Sequence, residues 1–484
     1  MVRFQVIQRI LGLLLSIFSL ALLPPLLIAH WTRDGAETAF ATAIAVILTA
    51  GLTLWLPVRK VNREMKLRDG FIVVVLFWVV LGTSGSIPFM LVEGLKMSAP
   101  DAIFESLSGL TTTGATVIVG IDYLPPSILF YRQLLQWLGG MGIIVLAVAI
   151  LPILGIGGMQ LYRAETPGPM KDAKLTPRIT ETAKALWYIY LGLTIACAVA
   201  YLSAGMSLFD AISHSFSTVA IGGFSTHDLS LGYFDNPAIE AIAVVFMFMA
   251  GINFSLHFLA WRYRNGKPYI FDSEFRMYGA FTLAVCVVCG IGLSVTTYQD
   301  DWIEAFRLGI FQAVSIGTTT GFTTASFQAW PGFLPLLLLF ASFVGACAGS
   351  TGGGIKVIRF LLLYKQGRRE IQRLIHPNAI ITIKMGGRPV NDRVVDAVWG
   401  FFATYVAVFA ALLLTVMATG LDQVTAFSAV AACMNNLGPG LGDVSTHYGD
   451  IPSSTKLLLS FAMVLGRLEI FTLLVLLTPS FWRG

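Results

Sequence analysis

The chain has 484 residues, 56% of them hydrophobic and only 12% charged, with a formal net charge of +5. An average soluble domain carries about 25% charged residues, so this composition excludes an ordinary water-soluble domain. Apolar runs such as 71–80 and 334–344 recur along the whole length, and the chain reads as an all-α polytopic membrane protein.

Residues 1–69 come first in chain order. Arg3 and Arg9 precede an apolar stretch, 11–29, that is long for a signal-peptide core and is followed by no small-residue cleavage site. With the apolar run after Asp34 it reads as two retained N-terminal spans. Four units follow, at 70–160, 161–268, 269–376 and 377–484. Each holds a span, a short polar-edged stretch and a second span.

The short stretches align on one glycine. They read "DAIFESLSGLTTTGAT", "DAISHSFSTVAIGGFS", "LGIFQAVSIGTTTGFT" and "TAFSAVAACMNNLGPG", with anchors Gly114, Gly223, Gly321 and Gly438 separated by 109, 98 and 117 residues. Six positions before the anchor stand Ser108, Ser217, Ser315 and Ala432; two after it stand Thr116, Ser225, Thr323 and Gly440. This is a fourfold internal repeat. Units of two spans all insert with one orientation, unlike the inverted repeats of many transporters.

About 10–12 helix-compatible residues precede each anchor, whereas crossing a bilayer core takes about 20. A Gly/Thr/Asn segment follows, and such backbone survives at membrane depth only when buried in protein or facing water. Each unit therefore reads as span, half-helix, extended return and span: a re-entrant pore loop. Four loops around one axis could offer rings of carbonyls to a monovalent cation. No Asp or Glu lies within 111–116, 220–225, 318–323 or 435–440, which disfavours a divalent site.

Basic residues cluster at Arg59–Arg68, Arg163–Lys184, Arg262–Arg276 and Lys365–Arg393. Placing these and both termini in the cytoplasm satisfies the positive-inside rule with ten spans. The other side collects Asp101, Asp122, Asp210, Asp228, Asp300, Asp301, Asp422, Asp443 and Asp450, an acidic mouth that would concentrate cations. The CxxC of Cys286 and Cys289 lies inside an apolar helix, which argues against zinc or redox chemistry. No HExxH or GxSxG is present, so no enzyme is expected.

"AGSTGGGIKVIRF", 348–360, interrupts an apolar span in the third unit. A phosphate loop fails on its own pattern, because Ile355 stands where lysine belongs. The interruption is expected to be the only one among the second spans. Arg467 lies in "FAMVLGRLEIFTLLV", and an arginine at that depth is costly enough to imply a cavity and a role. Glu469, two residues on, points in a different direction on a helix.

The motifs "LTTTGAT", "IGGFSTHD", "TTTGFTT", "NNLGPGLG", "GGMGIIVLAVAILPILGIGGMQLYRAE", "CAGSTGGGIKVIR" and "GRLEIFTLL" resemble those of the Trk/Ktr/HKT superfamily of potassium-transporting membrane proteins, over essentially the whole chain. The resemblance implies four span–pore helix–filter–span repeats around one pore, plus the two extra N-terminal spans. It implies passage of K⁺ and Rb⁺ in preference to Na⁺ and Li⁺, with the K⁺ ion in the filter and no organic cofactor. The ion-facing carbonyls would belong to Thr111, Thr112, Thr113 and Gly114; Ala220, Ile221, Gly222 and Gly223; Thr318, Thr319, Thr320 and Gly321; and Asn435, Asn436, Leu437 and Gly438. The fourth set departs most, so the ring should be only approximately fourfold. A gate is implied at 345–354, with Gly345, Gly349, Ser350, Thr351, Gly352, Gly353 and Gly354 crossing beneath the filter. Arg467 is expected to place positive charge there. Lys356 and Arg359 could block ions, bind lipid or relay a partner's state. The implied partners are a second copy of the chain, membrane lipid and a cytosolic nucleotide-binding regulatory subunit (TrkA-like) docking on 365–393, with no nucleic acid. The implied location is the bacterial inner membrane. The alternative is a K⁺/H⁺ or K⁺/Na⁺ symporter of the same fold, with Glu469 as the coupling carboxylate.

Overall fold

The computed structural model describes residues 4–61, 66–142 and 179–483. Arg63, Arg163, Lys171, Lys174 and Arg178 of the basic clusters lie outside the described residues, as does the long glycine-rich motif beyond residue 142. Six described helices are long and apolar enough to cross a membrane: Phe4–Thr32, Glu37–Val58, Arg68–Leu91, Lys184–Ser203, Ser273–Thr296 and Asp392–Met417. Among the described residues, the one sheet is a hairpin of Lys384–Met385 and Arg388–Pro389.

The first two spans cross at small residues. A Cβ on Gly12 would lie 2.7 Å from the carbonyl oxygen of Gly51, and one on Gly51 would lie 2.5 Å from Ser16 Oγ. Backbones that close exclude any larger side chain, the usual packing of helices in lipid. One apolar core joins these spans to the first and fourth repeats; a second joins the second and third repeats.

Four short helices lie between the spans: Ala99–Leu110, Leu208–Ala220, Trp302–Gly317 and Gln423–Asn435. Their starts follow from side chains that accept the otherwise unpaired first-turn N–H groups. Ser207 Oγ accepts from Asp210 N–H at 3.0 Å, Asp301 from Glu304 N–H at 3.0 Å, and Asp422 from Val424 N–H at 3.0 Å; Ser98 caps the first helix. Carboxylates on the acidic side are thus engaged in structure. Asp422 and Asp301 cap helices, Asp101 pairs with Lys456 at 2.6 Å, and Asp228 accepts from the N–H groups of Gly120 and Ile121 at 3.1 and 2.9 Å.

The second spans correct one expectation, because the interruption is not confined to the third repeat. Pro237–Ala250 turns by 94° into Phe254–Tyr263, and Ser453–Arg467 turns by 114° into Phe471–Leu477. In the second repeat, Asn253 starts the new helix by accepting from Ser255 N–H at 2.9 Å. In the fourth, Glu469 and Ile470 take left-handed φ of 51° and 59°. The polar residues at these breaks, Asn253 in the second repeat and Arg467 and Glu469 in the fourth, are too few to lower the hydropathy of the apolar runs on either side, so hydropathy conceals both bends. The third repeat differs in length of interruption: Leu334–Val344 ends at Gly345 and helix resumes only at Val357.

Candidate functional site

The four helices end where the aligned segments begin, so their partly negative C-terminal ends face those segments. In each repeat the N–H one residue before the anchor glycine reaches back to the carbonyl six before it. Thr113 to Ser108, Gly222 to Ser217, Thr320 to Ser315 and Leu437 to Ala432 are all 2.8 Å. The chain then turns through positive φ twice, at Thr112, Ile221, Thr319 and Asn436 (56°, 55°, 69° and 53°) and at the anchors Gly114, Gly223, Gly321 and Gly438 (80°, 78°, 86° and 95°). Identical local geometry at identical offsets is the structural form of the repeat.

The anchors also close a ring. A Cβ on Gly114 would lie 2.1 Å from the carbonyl oxygen of Gly222, on Gly223 2.0 Å from that of Thr320, on Gly321 2.1 Å from that of Leu437, and on Gly438 2.7 Å from that of Thr113. Each repeat thus abuts the next, and the fourth returns to the first. Glycine is required at each anchor on two grounds: its φ and the carbonyl of the neighbouring repeat. The fourth contact is the loosest, in the repeat whose sequence departs most.

On the anchor side the ring opens into a cavity of about 710 Å³ lined by all four anchor glycines, together with Thr116, Arg132, His227, Asp228, Thr323 and Tyr448 among others. At its rim His227 Nδ1 lies 2.7 Å from Asp122 Oδ1 and Nε2 lies 3.5 Å from Asp210 Oδ1, with the ring stacked on Tyr233. Burial disfavours charge on His227, but its bonds to Asp210 and Asp122 outweigh this and raise its pKa. Burial of Asp122 is likewise outweighed by the hydrogen bond from His227, and its pKa is lowered.

On the opposite side the stretch 345–354 is packed directly under the ring. Gly353 N–H donates to Thr319 Oγ1 at 2.7 Å, Gly354 N–H to Asn435 O at 3.0 Å, and Thr351 Oγ1 to Val219 O at 2.9 Å. A Cβ on Gly352 would lie 3.0 Å from Thr318 O, and one on Gly353 1.9 Å from Asn435 O. The loop therefore touches the second, third and fourth repeats. Ser350 and Thr351 are buried. Gly345, Gly349 and Gly354 all have positive φ.

Arg467 reaches the same place. Its Nη1 donates to Thr351 O at 3.2 Å and its Nη2 to Gly139 O at 2.8 Å, with the guanidinium 5.3 Å from the Trp78 ring. It ties the loop to the first repeat, which among the described residues the loop itself does not bond. Lys356 leaves the loop with φ 83°, a strained region for a side chain, and its ammonium turns back to Gly352 O. Arg359 pairs with Glu469 across 110 residues and stacks 4.1 Å from Phe401. Glu469 therefore has an arginine partner within the protein, and Arg359 holds the exit of the loop to the broken span of the fourth repeat.

Several side chains that sequence reading did not single out brace the ring. Glu105 and Arg132, 0% and 1% exposed, pair at 2.8 Å. Glu105 also accepts from Val117 N–H at 2.9 Å, and Arg132 donates to Ser225 O at 3.0 Å, joining first and second repeats behind the ring. The same offset, nine before the anchor, holds His214, whose Nε2 meets Ser225 Oγ at 2.9 Å, and Gln312, which donates to Ala325 O at 2.7 Å. Gln136 donates to Gly222 O at 2.6 Å and accepts from Phe224 N–H at 3.0 Å; Tyr448 donates to Gly438 O at 2.8 Å. With Asn435 O, which accepts from Gly354 N–H, three of the carbonyls expected to face an ion thus have protein donors. The available signal was polarity inside apolar helices, an ionisable residue at membrane depth being a functional pointer by default.

Comparison with known proteins gives a consistent outcome. The TrkH model, described as a cation transport protein, matches residues 36–483. The chain is 60% identical over 484 residues, all of both chains, to the "Trk system potassium uptake protein TrkH" of Vibrio parahaemolyticus. It is 55% identical over 480 residues, 99% of each, to the protein of that name from Escherichia coli K12. The crystal structure of the potassium transporter TrkH from Vibrio parahaemolyticus superposes with a TM-score of 0.91 at 57% identity, covering 99% of this chain and all of the other.

Proposed function

The chain belongs to the TrkH family of cation transport proteins, and on that premise we propose that it is the potassium-translocating pore subunit of a Trk-type uptake system in the bacterial inner membrane. It passes K⁺ and Rb⁺ in preference to Na⁺ and Li⁺. The observation that carries this reading is the closed ring of four anchor glycines, each against the carbonyl of the next repeat. Carbonyl rings of neutral residues can replace the hydration shell of a large monovalent cation.

The cavity on the anchor side is the outer vestibule, and the stretch 345–354 is the gate, closed here beneath the filter. Arg467 reinforces closure in two ways, by bonding the loop and by placing positive charge on the ion path. The cytosolic nucleotide-binding subunit opens the gate from the basic side. Both termini are cytoplasmic, and two copies of the chain associate. The engagement of Glu469 by Arg359 supports a pore over a symporter that would use that carboxylate for coupling. The test is reversal potential in proteoliposomes holding this chain with its regulatory subunit. A value that follows the K⁺ gradient alone, independent of pH and Na⁺ gradients, is expected; a value that moves with either gradient overturns the pore reading.

A further inference from the structure

The gate must be held at its ends as well as at its tip, and one buried carboxylate does this. Glu274 lies in the first turn of the span Ser273–Thr296 and is 7% exposed. Its Oε1 accepts from Ala348 N–H at 2.7 Å and from Ile358 N–H at 3.2 Å. Those two N–H groups are ten residues apart, one within the stretch 345–354 just before Gly349 and one in the first turn of the helix that follows. A single oxygen thus draws together the two sides of the segment Gly349–Gly354, which makes up most of the gate stretch 345–354. A buried carboxyl oxygen that loses its donors is costly to leave unpaired, so the clasp favours both bonds made together.

The neighbouring residue connects this clasp to the cytosolic surface. Ser273 Oγ accepts from Gly386 N–H at 3.1 Å, and Gly386 is at the tip of the hairpin Lys384–Met385 / Arg388–Pro389. The hairpin is itself anchored, Ile383 sharing one apolar cluster with Leu362 of the helix after the loop and with Val395 and Val398 of the next span. Resting on the gate reading above, we propose that Glu274 is the positioning residue that clasps the gate shut, and that the corner Ser273–Glu274 is where movement of the basic hairpin reaches it. A partner that pulls the hairpin tip shifts the first turn of this span and loosens both ends of the loop at once.

The test uses the full chain in proteoliposomes, with Cys197, Cys286, Cys289 and Cys433 replaced by alanine. Cys347 is then the sole thiol; it is fully buried beside the clasp, its N–H donating to Gly251 O at 2.9 Å. Glu274→Ala is expected to raise both partner-free ⁸⁶Rb⁺ uptake and the rate at which a small methanethiosulfonate labels Cys347, each by about tenfold or more. Glu274→Gln, which keeps an acceptor oxygen without its charge, gives a smaller rise in both and serves if the alanine variant does not fold. Ser273→Ala raises Cys347 labelling in the same direction; labelling equal to the parent overturns the hairpin route. A chain lacking 348–352 separates the clasp from the gate. If that deletion raises flux while both Glu274 variants stay within twofold of the parent, the clasp is wrong and the gate stands. If the deletion does not raise flux either, the gate reading fails and the clasp with it.

Discussion

Replacing Arg467 with alanine tests the proposed closed state most directly. The side chain donates one hydrogen bond to Thr351 O on the gate and one to Gly139 O on the first repeat. A charged donor is worth about 1.5–3 kcal/mol per bond. On the proposed gating, the Thr351 bond holds the loop docked, so its loss alone removes about 1.5–3 kcal/mol of closure. Each 1.4 kcal/mol is tenfold in an equilibrium, so the open population, and with it partner-free ⁸⁶Rb⁺ flux, should rise by about 10- to 100-fold. Loss of the positive charge adds to the flux through whatever fraction is open. Arg467→Lys separates the two contributions. Lysine keeps the charge but presents a single point of donation, and it cannot span Thr351 and Gly139 as the forked guanidinium does. If charge is the larger barrier, the lysine variant stays near the parent; if latching is, it leaks. Initial uptake rates within twofold of the parent for Arg467→Ala, in protein that elutes as the parent does, would refute the reasoning.

Gly114→Ala, Gly223→Ala and Gly321→Ala should each abolish K⁺ selectivity, because their Cβ atoms would lie 2.0–2.1 Å from a neighbouring carbonyl; Gly438→Ala, at 2.7 Å, should be the mildest, as ⁸⁶Rb⁺ uptake competed with Na⁺ would show. The Glu105–Arg132 pair has almost no exposure, so Arg132→Met should cost about 3–5 kcal/mol by stranding the carboxylate, and Glu105→Gln with Arg132→Met should cost less than Arg132→Met alone; additive losses in thermal unfolding would contradict a coupled pair. The raised pKa of His227 means that its ion pairing stabilises the outer rim fully below the unfolded value of about 6.5 and fades as pH rises through the folded value. Histidine NMR should place its midpoint above 6.5 in the parent and lower in Asp122→Asn; a parent midpoint at or below 6.5 would remove the basis for this pairing.

Sequence by itself determined the parts of this protein that are local and repeated. Spacing of the four anchor glycines, the short helices before them and the neutral segments around them are set by chain-local chemistry. A left-handed φ favours glycine, a helix start favours a Ser or Asp cap, and a helix of 12–16 residues cannot span the bilayer. The glycine-rich interruption at 345–354 was legible for the same reason. Only the tertiary structure decided what is joined across long separations. Arg359 meets Glu469 across 110 residues, Arg467 meets Gly139 across 328, and Glu274 gathers both ends of a loop 74 and 84 residues away. The breaks in the second and fourth repeats were likewise hidden, because the single polar residues there, Asn253, Arg467 and Glu469, lie between long apolar runs and hydropathy averages over them. A hydrophobic pattern fixes which residues avoid water. It leaves open which charge answers which across the closed ring, since that depends on four repeats folding into contact at once.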